Sequence, residues 1–347
     1  SLVAFNADNG QPEWSCSLES SSDRSVDLLN DQNRVPRGFD RQTNAAISPH
    51  DSLFENTVMG LPSSDGRFVY AVAGPSQSAV ESADELGVSP QERMALDGNR
   101  LVAILIERAT SASRQIAWVC DGFVSPGIGS TKQRIRFLGS PLPGATELLC
   151  VTEQRGEIHL TALFPRSGEV LWTQPVCVLD RMSTIDGERV RSACTPARSN
   201  GVVVFPTNTG LVVAVDQARR RLLWATFVDD VPDAQQQRLR GRYIAPLISS
   251  AGFGSHIVLS QQKVVYLSPR SGHIHCLDLM TGKSLWSASR RDGEYVANVV
   301  ENKVLVVGRQ GLRCMLLEDG GEVWNASTAM PSGRGLCLNG QFIQPLE

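Results

Sequence analysis

The chain has 347 residues, 41% of them hydrophobic, with 30 glycines, 18 prolines and a formal net charge of −3. This suits a turn-rich globular protein, and so mild a charge excludes the strong basic field of a nucleic-acid or membrane-surface binder. No run of about 18 apolar residues occurs, so no transmembrane helix is predicted.

No signal peptide is visible. Ser1 opens almost directly on the extended run Leu2-Val3-Ala4-Phe5, so the chain reads as a mature form or an excised piece. Residues 2–14 predict two strands joined by a turn at Gly10. A polar, Ser/Asp/Asn-rich link follows over 15–56, with a short apolar patch at 26–29. Residues 57–118 predict four strands, interrupted over 74–98 by a loop with a short helix near 79–86. Further strand groups fall at 141–172, 193–224, 243–286 and 292–324, separated by links at 119–140, 173–192 and 228–242. Extended apolar pairs supply their first strands, such as 257–259 with 264–267 and 296–299 with 304–307. Residues 335–347 end the chain with two more short strands, and no long amphipathic helix is predicted.

A repeat organises these elements. The segment 272–286, GHIHCLDLMTGKSLW, reads as strand, tight turn, strand, with Gly282 supplying a positive φ and the Asp278 carboxylate accepting N–H bonds from the turn. Comparable segments end at Trp14, Trp118, Trp172, Trp224 and Trp324, which with Trp286 are all the tryptophans in the chain. Four positions before them stand Gly10, Arg114, Gly168, Arg220, Gly282 and Gly320. Eight positions before, Asn6, Asp216 and Asp278 recur. From Trp118 onward the tryptophans are 54, 52, 62 and 38 residues apart. A propeller blade of four short strands takes roughly 40 residues, so the shortest spacing is a bare blade and the others carry insertions. The predicted architecture is an all-β propeller of four-stranded antiparallel blades in a single domain. Residues 335–347 and 1–14 each supply half a blade. Sharing one blade between them gives six, and the alternative is a fragment of a seven- or eight-bladed ring.

In an up-and-down blade of strands A to D, the B–C loops and D–A links leave one rim and the A–B and C–D turns leave the other. The insertions 15–56, 74–98, 119–140, 173–192 and 228–242 are all B–C or D–A segments. The elaborated rim is therefore the candidate binding face. Its charge run Arg238, Arg240 and Arg242, with Arg290 and Arg291 of the next link, makes a candidate basic patch for an acidic peptide, glycan or phosphate, with Asp229, Asp230 and Asp233 close by. Arg219-Arg220-Arg221 falls in a C–D turn on the other rim and reads as an exposed turn.

The hairpin pattern A-x-D-x-x-T-G-x-x-x-W resembles the repeat of the PQQ-type β-propellers, which include quinoprotein alcohol dehydrogenases and BamB-like outer-membrane assembly lipoproteins. The copies ending at Trp286 and Trp172 match best, and the repeat covers nearly the whole chain. The resemblance implies that each tryptophan packs between neighbouring blades. The quinoprotein enzymes of this superfamily hold their cofactor under an adjacent Cys-Cys disulfide and over a tryptophan, beside a calcium ion. Here no two cysteines are adjacent, and the repeat uses all six tryptophans. The cofactor site therefore does not carry over, and no catalytic, cofactor or metal residue is assigned.

Other chemistry is sparse. The eight cysteines show no CxxC spacing and read as free core residues, with one or two disulfides in an exported protein as the alternative. His273 and His275 share a strand face, and His159 is aligned with His275 in its own repeat. The expected function is a non-catalytic platform that binds a protein or peptide through the long loops, placed by family analogy in the cell envelope or periplasm of a bacterium. The alternatives are a quinoprotein-like or other small-molecule activity in the central funnel, with PQQ and calcium, and a sensor or interaction domain of a larger protein.

Overall fold

The computed structural model describes residues 2–5, 9–16, 18, 58, 61–74, 99–106, 116–124, 132–179, 192–229, 256–338 and 340–346. These residues are all strand, turn and loop. The chain divides into two compact units, residues 1–53 with 58–190 and residues 54–57 with 191–347.

In the first unit, β1 (Leu2–Phe5) pairs with β2 (Pro12–Cys16) as a two-stranded sheet. A four-stranded blade follows, β3 (Ser63–Ser64), β4 (Phe68–Ala73), β5 (Arg100–Leu105) and β6 (Ile116–Cys120). A small hairpin of β7 (Gly122–Val124) and β8 (Lys132–Arg134) then leads to β9 (Arg136–Phe137). The next blade is β10 (Leu142–Pro143), β11 (Leu148–Gln154), β12 (Glu157–Leu163) and β13 (Val170–Val178), with β9 added alongside β11. The second unit holds three blades: β14 (Ala197–Ser199) to β15 (Val202–Pro206), β16 (Leu211–Asp216) and β17 (Arg221–Phe227); β18 (Val258–Ser260) to β19 (Lys263–Leu267), β20 (His273–Asp278) and β21 (Ser284–Ser289); β22 (Gly293–Val300) to β23 (Lys303–Gly308), β24 (Gly311–Leu316) and β25 (Glu322–Ser327). It ends in the hairpin of β26 (Leu336–Leu338) and β27 (Gln341–Ile343).

Every blade is antiparallel in sequence order, the meander that repetition predicts. The inner strands B and C are covered on both faces by neighbouring sheets, so they read as continuous apolar runs. All five residues of β15, VVVFP, are buried, as are Val212 to Val215 in β16. The D strands alternate, as in β21, where Trp286 and, partly, Ala288 point inward between exposed Ser284, Leu285, Ser287 and Ser289.

The tryptophans explain the repeat. Each opens the inward face of its D strand and lies opposite a small residue of strand C: Ala103 faces Trp118, Ala162 faces Trp172, Ala214 faces Trp224 and Cys276 faces Trp286. Three of the indoles cover the C–D turn of the following blade in the same unit and donate Nε1–H to a carbonyl there. Trp118 bonds Pro165, Trp224 bonds Leu279 and Trp286 bonds Leu317, each at 2.9 Å. Under each ring lies the turn glycine. A Cβ built on Gly168 would stand 2.5 Å from Trp118, one on Gly282 2.5 Å from Trp224, and one on Gly320 2.7 Å from Trp286. The glycines do have positive φ, at +72°, +68° and +73°. Arg220, however, takes φ +54° at the same repeat position. Left-handed backbone alone therefore does not demand glycine; the covering indole does. Burial of one such ring contributes about 4–6 kcal/mol as an upper estimate. Trp172 instead donates to the Glu147 carboxylate at 2.8 Å, and Trp324, on the last complete blade, is 43% exposed.

Several boundaries differ from expectation. The D strands run on past their tryptophans, to Cys120, Val178, Phe227, Ser289 and Ser327, because the edge strand keeps its alternation beyond the ring. Residues 119–140, expected as a plain link, contain β7, β8 and β9. The signal was present in Arg134-Ile135-Arg136-Phe137, where Ile135 and Phe137 alternate with arginines and are buried. Asn99 ties this insertion down: its amide donates to Phe137 O and accepts from Phe137 N, both at 2.7 Å, standing in for a strand neighbour. The short helix expected near 79–86 lies outside the described residues.

Replacing Gly282 with Ala should cost about 2–4 kcal/mol in urea unfolding, combining positive φ with overpacking against Trp224. Gly201→Ala, also at positive φ (+75°) but with open space around its Cβ, should cost only about 1 kcal/mol. Equal losses would show that φ, not the indole, fixes glycine in the turn.

Candidate binding rim

Backbone hydrogen bonds assign the turns to rims. Leu179 N–H donates to Gly156 O, Val228 to Gly210, Arg290 to Gly272 and Thr328 to Gln310, so each D–A link starts beside its own blade's B–C loop. Gln217, Leu279 and Leu317 in C–D turns donate to Gly201, Gln262 and Asn302 in A–B turns, which puts those two turns together on the other rim. In the first unit the B–C segment 74–99, and in the second the D–A segment 228–257, leave from the B–C/D–A side of their own blades. The C–D connections are not uniformly short in sequence, because ten residues, 106–115, separate β5 from β6.

Of the expected basic patch, Arg238, Arg240 and Arg242 lie outside the described residues. Arg290 does not belong to a surface patch: it is 2% exposed. It holds the position filled by Leu179 and Val228 in two other blades, both buried, and by the half-buried Thr328 in a third. Its Nε donates to Gly293 O at 2.6 Å and its Nη1 to Ser268 O at 2.8 Å, so the guanidinium braces the B–C loop against the next blade. Burial lowers its pKa, opposed by the nearby Glu294 carboxylate. Glu294 is itself buried and paired with Arg309. Arg291 keeps an exposed position and pairs with Glu322 at 2.7 Å. Asp229 accepts a hydrogen bond from the Ser268 hydroxyl. The described part of this rim is therefore a balanced network of ion pairs and not a basic field.

The other rim carries turn chemistry. Asp278 Oδ1 accepts from Met280 N at 3.1 Å, Thr281 N at 2.8 Å and Thr281 Oγ1 at 2.7 Å. The Thr281 hydroxyl bond is the main reason its pKa is lowered. Asp216 accepts from Arg219 N at 2.9 Å and pairs with the Arg219 guanidinium at 2.7 Å. The Arg219 backbone bond, then its side chain, lowers the Asp216 pKa. Asp216 and Asp278 thus close turns, as the repeat implied, and Gly10 takes φ +68° with open space around it.

His273 and His275 lie with ring centroids 6.3 Å apart, and His275 Nε2 bonds the Ser271 hydroxyl at 3.0 Å. Among the described residues no group of three His, Cys, Asp or Glu side chains is placed to hold a metal ion. Cross-strand register corrects one alignment. With Ala162 and Cys276 as the tryptophan-facing residues, His159 matches His273 rather than His275. His159 is buried beside Glu157, and burial lowers its pKa. All eight cysteines are free thiols; Cys177 and Cys337 are half-buried and the other six are buried. Burial pushes Cys276 up to about 11 and raises Cys16, Cys150 and Cys314. An exposed-thiol reagent should therefore label at most Cys177 and Cys337 in the native protein, and all eight after denaturation. Rapid native labelling of more than two would contradict this packing.

The chain has no adjacent cysteine pair, and its tryptophans stand on the outer D strands.

No curated protein matches the chain in sequence. Among solved structures, BamB from Moraxella catarrhalis is similar at 12% identity and TM-score 0.40, covering 72% of this chain and 77% of that one. The computationally designed Ika8 protein gives 11% identity and TM-score 0.43, over 82% of this chain and 66% of its own. Sqt1 of Saccharomyces cerevisiae gives 12% and 0.46, over 80% and 66%. The model of the family described as outer membrane protein assembly factor BamB matches residues 1–288, most of the chain, and the chain belongs to that family.

Proposed function

We propose that the chain is a non-catalytic scaffold that binds a protein partner through the rim of its B–C loops and D–A links, in a bacterial cell envelope. The family's name, an outer membrane assembly factor, supports an interaction role. The observation that carries the choice of rim is that within each unit a long segment, 74–99 in the first and 228–257 in the second, leaves from the B–C/D–A side of its own blade, while the third long segment, 179–196, follows a D strand. A rigid scaffold that grows loops on one rim places its variable chemistry there. Arg238, Arg240 and Arg242 belong to the segment 228–257 and are proposed to contact the partner. The count of six blades and the absence of a bound cofactor belong to the same proposal. Burial of six thiols is compatible with an oxidising compartment, because a buried thiol reacts slowly.

Photocrosslinking amino acids placed at Phe227 and Gln310, on the proposed rim, should trap discrete partners in cells. The same probes at Lys283 and Asp319, on the opposite rim, should trap few. Crosslinks confined to the latter pair would reverse the assignment. Substrate-dependent dye reduction after loading with PQQ and Ca²⁺ would overturn the non-catalytic reading altogether.

A further inference from the structure

Three Asn-Gly pairs stand in the sequence, at 9–10, 200–201 and 339–340. Asn339 lies outside the described residues. Asn200 and Gly201 are the two central residues of the turn that joins β14 to β15, where Ser199 pairs with Val202. Both take positive φ, +50° and +75°. This is the mirror-image turn of a two-residue hairpin, for which Asn-Gly is the favoured pair. Both residues are exposed, and a Cβ built on Gly201 would meet nothing within 4 Å.

The residues that make this turn are also a reactive pair. The Asn200 carboxamide has no hydrogen-bond partner among the described residues, and the Gly201 nitrogen next to it is shielded by no side chain of its own. Asn9 is held differently, since its Oδ1 accepts from Gln11 N at 2.9 Å. The charges around the two also differ. Asn200 follows the exposed Arg198. Gln217 N donates to Gly201 O at 3.0 Å, which sets beside it the C–D turn carrying Arg219, Arg220 and Arg221. Arg219 is paired with Asp216. Asn9 instead has Asp8 and Glu13 as its charged neighbours in sequence. Nearby cations favour the anion that forms as a backbone nitrogen gives up its proton, and nearby carboxylates oppose it.

We infer that Asn200 is a site of spontaneous deamidation through Gly201. The Gly201 nitrogen loses its proton to hydroxide and attacks Asn200 Cγ. The N–Cγ bond forms, the Cγ–Nδ2 bond breaks, and Nδ2 leaves as ammonia with a proton from water. One water molecule then opens the cyclic imide at either of its two carbonyls. Opening at one gives aspartate at position 200, and opening at the other gives isoaspartate. Isoaspartate inserts one more carbon into the backbone of a connection that has only two residues, and the hairpin register depends on that length. The strand at stake is β14, three residues long and paired only through Ala197, Arg198 and Ser199. The same change disturbs Gly201 O, which accepts from Gln217 and joins the A–B turn to the C–D turn. Ageing of this one turn therefore loosens the A strand of its blade and adds a negative charge beside the arginines.

Ageing the full native chain at pH 6.5, 7.5 and 8.5, followed by tryptic mapping, tests the site. The peptide 199–219 should acquire the acid form, with fragmentation placing it at Asn200 and not at Asn208. Part of it should be a substrate for isoaspartyl methyltransferase labelling. Conversion should run several-fold faster than at Asn9 in the peptide 1–24, and faster at each step up in pH. Gly201→Ala, whose added Cβ shields the nitrogen in a turn with open space, should slow it several-fold. If that variant fails to fold, Arg198→Gln serves, and it should slow conversion while leaving Asn9 unchanged. Hydrogen exchange of the aged chain should show lost protection over 197–204 and none over 303–316. Conversion at Asn200 no faster than at Asn9 would overturn the inference. So would an unchanged rate in both variants, or a product without isoaspartate.

Discussion

The structure depends on one contact made repeatedly, an indole lying over a glycine turn. Trp118, Trp224 and Trp286 each reach out of their own blade and cover the C–D turn of the next. The ring supplies apolar area, and its N–H donates to a turn carbonyl. A four-stranded sheet has two faces to bury and cannot do so alone. Stacking with a fixed anchor solves the problem at the three junctions where Trp118, Trp224 and Trp286 reach the next blade. The anchor also explains why the turn sequence is so restricted: the glycine must both curve the chain and leave room for a neighbour's ring.

That anchoring divides the two rims. On the C–D side, turn length and composition are tied to the tryptophan of the preceding blade, and Asp278 and Asp216 spend their carboxylates on closing the turn. On the B–C and D–A side a ring over a loop comes from the same blade, as where Phe227 lies over Gly210. Chain length is free to change there, provided the first residue of the link still packs inward, as Leu179, Val228 and Arg290 do.

The fold was legible because it repeats. Six tryptophans with glycines four residues before most of them mark a register that no single segment would reveal. The inner strands were equally plain, since residues such as 202–206 are buried on both faces and their sequence is uniformly apolar. Arg290 was illegible for the opposite reason. Beside Arg291 it resembles a surface charge, and only three-dimensional register places it where other blades carry Leu179 or Val228. The β7–β8 hairpin was missed because its strands are three residues each, too short for an alternating pattern to stand out.

Arg290 also shows what the rim demands of charge. A guanidinium buried at 2% exposure has lost its water and must be repaid by backbone carbonyls, here those of Gly293 and Ser268. Truncating it would remove a strut between a B–C loop and the following A strand, taking one donor from Gly293 O and one of the two from Ser268 O, which also accepts from Ser271 N at 3.2 Å. The same economy governs Glu294 with Arg309 and Asp229 with Ser268. Each uses a charged or polar side chain to fix the base of a loop whose far end is free to vary. The polar groups nearest the blades on this rim are therefore the framework that aims the loops.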